Sequence, residues 1–319
     1  MKIYEYRVIL PTNVPQYQIG NLYMCAQRTR ETQGGGEGIE ILKNEPYQEG
    51  EEKGQYTHKV MHFKSKVPGA IRWAIPDKYL HIDEKSHNSY PHFHTLYEQK
   101  GMGKDFYLLV ESQHMVYDRE KGVPDNALNL TPEELKQRQI FYLDIVNSKP
   151  KPEKPEWDMH NFECPEAKIS KLSTPKNTCD ETKPPEWTLT YEGDMIVAVK
   201  IVKFKFKWFG IQSAVESFAM GKFHDVFLDS HRAMFSWAAQ WFPMDMPAIR
   251  KLEQEVQDEQ AKLKFDKDEE SESKSKKDDK KKDDKKDKKD KDVKEEKKEK
   301  KDKKDDKKKN DKKKDKKKK

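Results

Sequence analysis

Apolar and polar side chains alternate along several short stretches of this chain, and a period of two is typical of β-strands. The longest such run extends from Met195 to Gly210. Its first face is apolar with one exception, Lys200, and consists of Ile196, Ala198, Lys200, Val202, Phe204, Phe206 and Trp208. The opposite face is apolar as far as Ile201 and basic from Lys203 onwards. The pattern predicts a strand whose apolar face carries one ammonium group.

The same alternation predicts further strands, separated by turn-forming residues. They lie near residues 2–10, 38–46, 54–65, 79–90, 92–99, 104–116 and 139–146. Between residues 148 and 187 the chain contains seven prolines and no sustained period. This composition predicts a long loop, and a loop of such length inside a compact domain is usually functional or mobile.

Apolar residues recur at helical spacing in three places. A first helix is predicted from Tyr17 to about Arg28, and a single long amphipathic helix from Val215 to Trp241. A last helix is predicted after Asp245, which can cap it, with a buried stripe formed by Ile249, Leu252 and Val256. Strands and helices do not alternate often enough for a doubly wound fold. We therefore predict an α+β fold with a mostly antiparallel sheet.

Lys200 stands out because an ammonium group among apolar neighbours is costly unless an anion or several acceptors meet it. Alternatively, such a lysine can extend its amine to water or pair with a carboxylate of the protein. Two other predicted strands also have an apolar face that ends in polar groups: Thr57, Lys59, Met61 and Phe63, and Phe106, Leu108, Val110 and Ser112. Three such faces indicate a sheet that lines a cavity. A ligand with a long apolar body and an anionic, hydroxyl-rich head, such as a phospholipid, fits this cavity best.

Composition divides the chain into two parts. Residues 265–319 contain 29 lysines and 20 acidic residues, a net charge of +9, and almost no apolar side chains. Such a segment cannot bury enough surface to offset its chain entropy, so a disordered Lys/Asp-rich tail is predicted. A solvated tail is the simpler interpretation, and a salt-sensitive tether to anionic membranes is the alternative. Residues 1–264 carry a net charge of −3, and their length suits one large domain or two small ones.

Neither a secretory signal nor a membrane-spanning segment is recognisable in the sequence. The first ten residues alternate like a strand and include charges, and no run approaches the roughly 20 apolar residues that a membrane span needs. Three cysteines are too few and too scattered for a disulfide framework, so free thiols are expected at Cys25, Cys164 and Cys179. We therefore expect a soluble, cytoplasmic monomer.

Patterns for catalysis and metal binding are weak. His92 and His94 share a face of one predicted strand, but no third or fourth ligand follows at a spacing suited to zinc. The sequence has no Gly-x-Ser-x-Gly motif, no P-loop and no nucleophile beside a base. We therefore predict no catalytic residues, no metal and no cofactor, and expect that the chain is not an enzyme.

Lysines alternate with aromatic residues in Lys203–Gly210. This composition can stack single-stranded nucleic acid, or it can be the solvated basic face of an ordinary strand. Trp208 and Phe209, however, lie at the end of the strand, next to the glycine. Two bulky aromatic side chains at a tip flanked by lysines suit the head-group region of a membrane. We therefore predict transient peripheral contact with membranes and no nucleic-acid partner.

Over essentially all of residues 1–260, the chain resembles the phosphatidylinositol transfer protein family. The matching stretches are Glu5–Pro11, Tyr17–Tyr23, Gly34–Gly38, Asn44–Tyr47, Gly54–Lys59, Asn88–Pro91, Lys203–Gly210 and Ile249–Glu253. The resemblance implies a START-like helix-grip fold, in which a curved sheet and long helices enclose one phospholipid. It also implies that the ligand is phosphatidylinositol, that a second phospholipid such as phosphatidylcholine binds as well, and that lipid is exchanged between membranes.

Roles for individual residues follow from the resemblance. The inositol-binding positions of the family fall on Thr57, Lys59, Asn88 and Glu253. A glutamine near the inositol in the family is replaced by Asn21. The phosphate-binding positions fall on Lys200, Thr95 and Ser112.

Membrane contact is implied by the resemblance too. The docking pair of the family, usually two tryptophans, is Trp208 and Phe209 here. The segment between Pro68 and Pro76, with Trp73, is expected to open as a lid while the last helix shifts. Another function with the same cavity stays open, that of a lipid-loaded sensor that presents phosphatidylinositol to a lipid kinase.

Overall fold

The computed structural model describes residues 1–31, 39–62, 67–72, 74–172, 179–259 and 261–262. Residues Met1–Asp258 form one compact unit. Several predictions fall outside the described residues: the Gly34–Gly38 stretch, the Phe63 end of one apolar face, the lid residue Trp73 and the tail 265–319.

One sheet accounts for all the strands of the described residues. Its members are β1 Lys2–Leu10, β2 Ile39–Glu49, β3 Glu52–His62, β4 His81–Ser89, β5 His92–Glu98, β6 Phe106–Val116, β7 Arg138–Leu143 and β8 Ile196–Phe206. The strand order is β2–β3–β4–β5–β6–β8–β1–β7. Every neighbouring pair is antiparallel except β1 and β7, which run parallel. The predicted strands and the predicted α+β class with a mostly antiparallel sheet are confirmed.

Six α-helices lie in the described residues: α1 Val14–Glu31, α2 Gly69–Arg72, α3 Pro132–Gln137, α4 Gln212–Ser236, α5 Ala238–Trp241 and α6, residues 246–259. The first and last predicted helices are confirmed as α1 and α6. The Asp245 carboxylate accepts a hydrogen bond from the Ala248 N–H at 2.9 Å, so it caps α6 as predicted. The predicted stripe of α6 is buried at Ile249, Leu252 and Val256.

The prediction of one continuous helix up to Trp241 is wrong. Trp237 leaves the helical conformation, with φ −100° and ψ 14°, and separates α4 from α5. The Trp241 side chain is fully buried, and its indole N–H donates a hydrogen bond to the Met234 carbonyl at 2.7 Å. This bond occupies a carbonyl near the end of α4, where the helix turns. Both helices bury apolar residues, so the apolar pattern of the sequence continues across the break.

The segment between residues 148 and 187 packs against the core in its described parts. Trp157 and Leu172 are buried there. The guanidinium of Arg232, on α4, donates hydrogen bonds of 2.6 to 2.9 Å to the carbonyls of Ile145, Ser148 and Pro150. Three backbone carbonyls just after β7 are therefore paired with one side chain of the long helix.

Candidate functional site

Strand register places six of the predicted ligands on one face of the sheet. Directly opposed residues on antiparallel strands have side chains on the same face. One row crosses β4, β5, β6 and β8 as Asn88, Phe93, Ser112 and Lys200. The next two rows along the strands are Thr57, Ser86 and Thr95, and Lys59, Glu84 and Tyr97. This face is termed the inner face below.

Helices α1 and α4 cover part of the inner face. The Tyr6 hydroxyl, on β1, donates a hydrogen bond to the Met220 carbonyl of α4 at 2.9 Å. The ring centres of Tyr17, on α1, and His114, on β6, are 4.7 Å apart. The two helices also meet each other, because the Tyr17 hydroxyl lies 3.0 Å from Nε2 of His231. Helices α1 and α4 therefore lie over the part of the inner face that β6, β8 and β1 form.

Lys200 has an ammonium group that is buried without a counter-ion. Its exposed fraction is 8 %, and no carboxylate or hydrogen-bond acceptor contacts it within the described residues. Its Nζ lies 5.3 Å from the centre of the Phe227 ring, and Ser112 is its directly opposed neighbour on β6. Burial lowers the pKa of Lys200 to about 8. A positive charge in this position requires an anion for full stabilisation.

Two histidines near Lys200 are held in the neutral form. Nδ1 of His114 lies 2.9 Å from the Pro91 carbonyl and Nδ1 of His231 lies 2.6 Å from the Phe227 carbonyl, so each Nδ1 donates. Burial and the charge of Lys200 lower the pKa of His231 to about 3 and that of His114 well below its usual range. Both Nε2 atoms are therefore acceptors, and Lys200 is the charged member of this group.

Thr57 has a buried hydroxyl without a hydrogen-bond partner in the part of the chain that the structure describes. An unpaired buried hydroxyl is destabilising by roughly 1–3 kcal/mol. In the same row, Oγ of Ser86 lies 2.9 Å from Oδ1 of Asn88 and 2.8 Å from Oγ1 of Thr95. The hydroxyl of Thr57 thus has no partner among the described residues, while Asn88 and Thr95 are connected through Ser86.

Lys59 belongs to a cluster of charged and hydroxyl groups. Its Nζ lies 3.3 Å from Glu84, whose charge is the main reason that the pKa of Lys59 is raised. Tyr97 is directly opposed to Glu84 on β5, and burial, followed by the charge of Glu84, raises the pKa of Tyr97 well above its usual range. Glu253, on α6, is close enough to raise the pKa of Lys59 further. This cluster offers donors and acceptors side by side, as the hydroxyls of a polyol require.

Cys25, on α1, lies near this cluster. The residue has an exposed surface, yet burial is the main cause that raises the pKa of its thiol. Its pKa also responds to Lys59, Glu84 and Glu253, which belong to three other elements. The predicted ligand Asn21 lies one turn earlier on α1 and is half-buried, so it shares this side of the helix.

Trp208 and Phe209 do not form an equivalent pair. Phe209 is fully exposed, whereas the Trp208 ring stacks on Phe206 with centres 6.3 Å apart and meets the edge of Tyr79 at 5.4 Å. Gly210, with φ +81°, follows in a conformation that favours glycine. The loop after β8 therefore exposes the Phe209 ring, while the neighbouring Trp208 ring packs on the sheet.

Glu84, Ser86 and Cys25 line the site and were not predicted from the sequence. The strand β4 reads His-Ile-Asp-Glu-Lys-Ser-His-Asn-Ser and is polar on both faces, so hydrophobic patterning cannot identify its inner side. The spacing along β4 could have identified the inner side: Glu84 lies two residues before Ser86, and Ser86 lies two residues before Asn88. Once Asn88 is placed inward, the period of two places the other two residues inward as well.

No helix of the described residues is long and apolar enough to cross a membrane. In the same residues no group of three or more His, Cys, Asp or Glu side chains is arranged to hold a metal ion.

Comparison with known proteins gives a consistent result. The family model described as "Phosphatidylinositol transfer protein" matches residues 1–258. The chain is 38% identical over 258 residues to the phosphatidylinositol transfer protein beta isoform of Rattus norvegicus, covering 81% of this chain and 92% of the relative. It is 36% identical over 271 residues to phosphatidylinositol transfer protein 1 of Dictyostelium discoideum, covering 84% and 98%. These names describe lipid carriers rather than enzymes, in agreement with the prediction.

Proposed function

Because the chain belongs to the phosphatidylinositol transfer protein family, we propose that it encloses one phosphatidylinositol molecule and exchanges it between membranes. The lipid lies between the inner face and helices α1, α4 and α6. Its head group contacts the polar rows of the sheet, and its acyl chains lie along apolar surface.

Enclosure solves a problem of hydration. Burial of each methylene is favourable by about 0.8 kcal/mol, so exposure of two acyl chains to water is unfavourable by tens of kcal/mol. Hydrogen bonds to the head group cannot offset that amount. Direct passage of the chains from the bilayer into a protein cavity avoids this exposure.

The buried ammonium of Lys200 is the observation that carries the proposal. Within the described residues it has no anionic partner, and the phosphate of a phospholipid supplies one. Ser112, directly opposed to Lys200, and Thr95, one row away, lie on the same face, and they are the proposed hydroxyl contacts of that phosphate. A ligand without a phosphate or another anionic group would leave the positive charge of Lys200 uncompensated.

A second group of residues is proposed to select the inositol head group. Thr57 has an unpaired hydroxyl, Asn88 an amide, and Lys59 and Glu253 provide charges of opposite sign near each other. Asn21 extends this group from α1. An inositol ring carries several hydroxyls, each of which donates and accepts, so it satisfies such a group. A site built for these hydroxyls disfavours a head group that leaves them unpaired.

A second phospholipid such as phosphatidylcholine is part of the proposal, since Lys200 binds a phosphate that both lipids contain. Its choline head lacks hydroxyls and makes none of the contacts of Thr57 or Lys59. Docking at the membrane is assigned to Phe209, because a fully exposed aromatic ring at a loop tip inserts into the head-group region without loss of internal packing.

Transfer of labelled phosphatidylinositol from donor to acceptor liposomes by the purified full-length chain tests the proposal. We expect transfer by the unmodified chain and its loss in Lys200→Met. Absence of transfer by a folded, unmodified chain would contradict the proposal. Tight binding of phosphatidylinositol without transfer would favour the alternative, in which the loaded protein presents the lipid to a lipid kinase.

A further inference from the structure

Ser86 connects a residue assigned to inositol with a residue assigned to phosphate. Its Oγ lies 2.9 Å from Oδ1 of Asn88 and 2.8 Å from Oγ1 of Thr95. The Ser86 side chain is buried, with an exposed fraction of 6 %. Ser86 and Thr95 are directly opposed on β4 and β5, and Asn88 is two residues further along β4 on the same face. The three groups therefore form one hydrogen-bonded chain along the inner face.

The hydrogen-bonded chain has a direction, which is set by the group that donates each proton. A hydroxyl has one proton to donate, and an amide has a nitrogen that donates and an oxygen that accepts. When Ser86 donates to the Asn88 oxygen, its own oxygen accepts from Thr95. The proton of Thr95 is then used inside the protein. In this direction Thr95 offers only lone pairs to a ligand, and these do not bind a phosphate oxygen.

The reverse direction suits a phosphate. Rotation of the Asn88 amide by half a turn exchanges its oxygen and nitrogen with almost no change of shape. The amide nitrogen then donates to Ser86, Ser86 donates to Thr95, and Thr95 is free to donate to a phosphate oxygen. The Asn88 oxygen is released at the same time and accepts a proton from a ligand hydroxyl.

We propose that Ser86 is a specificity-determining positioning residue, which couples the phosphate contact of Thr95 to the hydroxyl contact of Asn88. The inference rests on the proposed function. A head group with both a phosphate and an adjacent donating hydroxyl satisfies the two ends of the reversed chain together. A phosphocholine head group pairs with Thr95 through its phosphate but leaves the Asn88 oxygen unpaired. The hydrogen-bonded chain therefore favours inositol lipids over choline lipids.

A double-mutant cycle tests the coupling with the full-length chain. Asn88→Ala and Thr95→Val are made singly and together, first with Ser86 present and then with Ser86→Ala. The readouts are transfer of phosphatidylinositol and of phosphatidylcholine between liposomes. With Ser86 present, each single change is expected to reduce phosphatidylinositol transfer roughly tenfold, and the double change by clearly less than the product of the two, because the two contacts depend on one shared hydrogen-bonded chain. In S86A, the effects of the two changes are expected to multiply.

Ser89→Ala is the matched control, since Ser89 lies on β4, points to the opposite face and donates to the Lys53 carbonyl at 2.9 Å. S89A is expected to leave both transfer rates unchanged, and S86T, which keeps the hydroxyl, to retain the preference for inositol lipid. Loss of preference in S86T would overturn the relay. Multiplicative effects of N88A and T95V with Ser86 present would also overturn it, and so would the same coupling in S86A. In each of these cases, transfer of phosphatidylinositol by the unmodified protein would leave the proposed function intact. No transfer of phosphatidylinositol by the unmodified chain would instead contradict the proposed function itself.

Discussion

The ammonium nitrogen of Lys200 lies 5.3 Å from the centre of the Phe227 ring. A cation over an aromatic face gains about 0.5–2 kcal/mol. This gain is smaller than the desolvation of a buried ammonium, which is several kcal/mol. Burial accordingly lowers the pKa of Lys200 to about 8. The protein without a lipid is therefore destabilised by this charge, which the phosphate of the proposed ligand would stabilise.

Removal of this charge is expected to stabilise the ligand-free protein while it abolishes function. The pKa of Lys200 changes from 10.5 to about 8 on folding. That difference corresponds to a penalty of about 3 kcal/mol for the charged form at pH 7. Lys200→Met should raise the free energy of unfolding of delipidated protein by up to that amount, measured by urea denaturation. Lys205→Met, on the other face of β8, should not raise the free energy of unfolding. A Lys200→Met variant that is less stable than the unmodified protein would contradict the assignment.

The stability of the delipidated protein and its affinity for lipid should change in opposite directions as the pH rises. Because the folded pKa of Lys200 lies below its unfolded value, the penalty is fully present below pH 8. It is relieved as the pH rises from about 8 to 10.5, so delipidated protein should gain stability over that range. Binding of phosphatidylinositol should weaken up to tenfold per pH unit above 8, since the bound phosphate needs the charged amine. In Lys200→Arg, which stays charged, binding measured at pH 7 and pH 9 should be equal.

Thr57→Val is expected to separate stability from binding. The change replaces a buried hydroxyl that has no partner within the described residues by a methyl group of the same shape. Delipidated protein should therefore be more stable by about 1 kcal/mol. Phosphatidylinositol transfer should fall while phosphatidylcholine transfer is kept. An equal loss of both activities would show that Thr57 does not contact the inositol ring.

Lys59→Ala is expected to abolish phosphatidylinositol transfer and to spare phosphatidylcholine transfer. It removes a donor to inositol and leaves the carboxylate of Glu84, 3.3 Å away, without its cation. Lys85→Ala is a control on the same sheet, because Lys85 forms a pair with Glu98 on the opposite face. The ratio of the two transfer rates is the measurement. A similar change of this ratio in both variants would argue against a specific role of Lys59.

Phe209→Ala is expected to reduce vesicle binding and the transfer rate of both lipids without a change in thermal stability. The ring is fully exposed, so its removal loses no packing. Leu189→Ala is the control at another exposed apolar residue. Vesicle co-sedimentation and thermal unfolding of the two variants give the answer. Unchanged vesicle binding by F209A would show that the membrane contact lies elsewhere.

Hydrophobic patterning predicted the sheet and the position of Lys200, because β8 is apolar enough for one lysine to be conspicuous. It could not predict the inner side of β4, where Glu84 and Ser86 face a polar part of the cavity. A period of two identifies the interior only when the interior is apolar. The break at Trp237 could not be predicted either, because apolar residues continue across it and the accompanying hydrogen bond from Trp241 to the Met234 carbonyl is visible only in the folded structure.

Native mass spectrometry of the full-length chain, re-isolated after incubation with phosphatidylinositol-containing vesicles, tests the central claim most directly. We expect one phosphatidylinositol molecule per chain, and none bound to Lys200→Met. A chain that keeps its bare mass, or that binds the lipid equally well without the ammonium of Lys200, would contradict the proposed site.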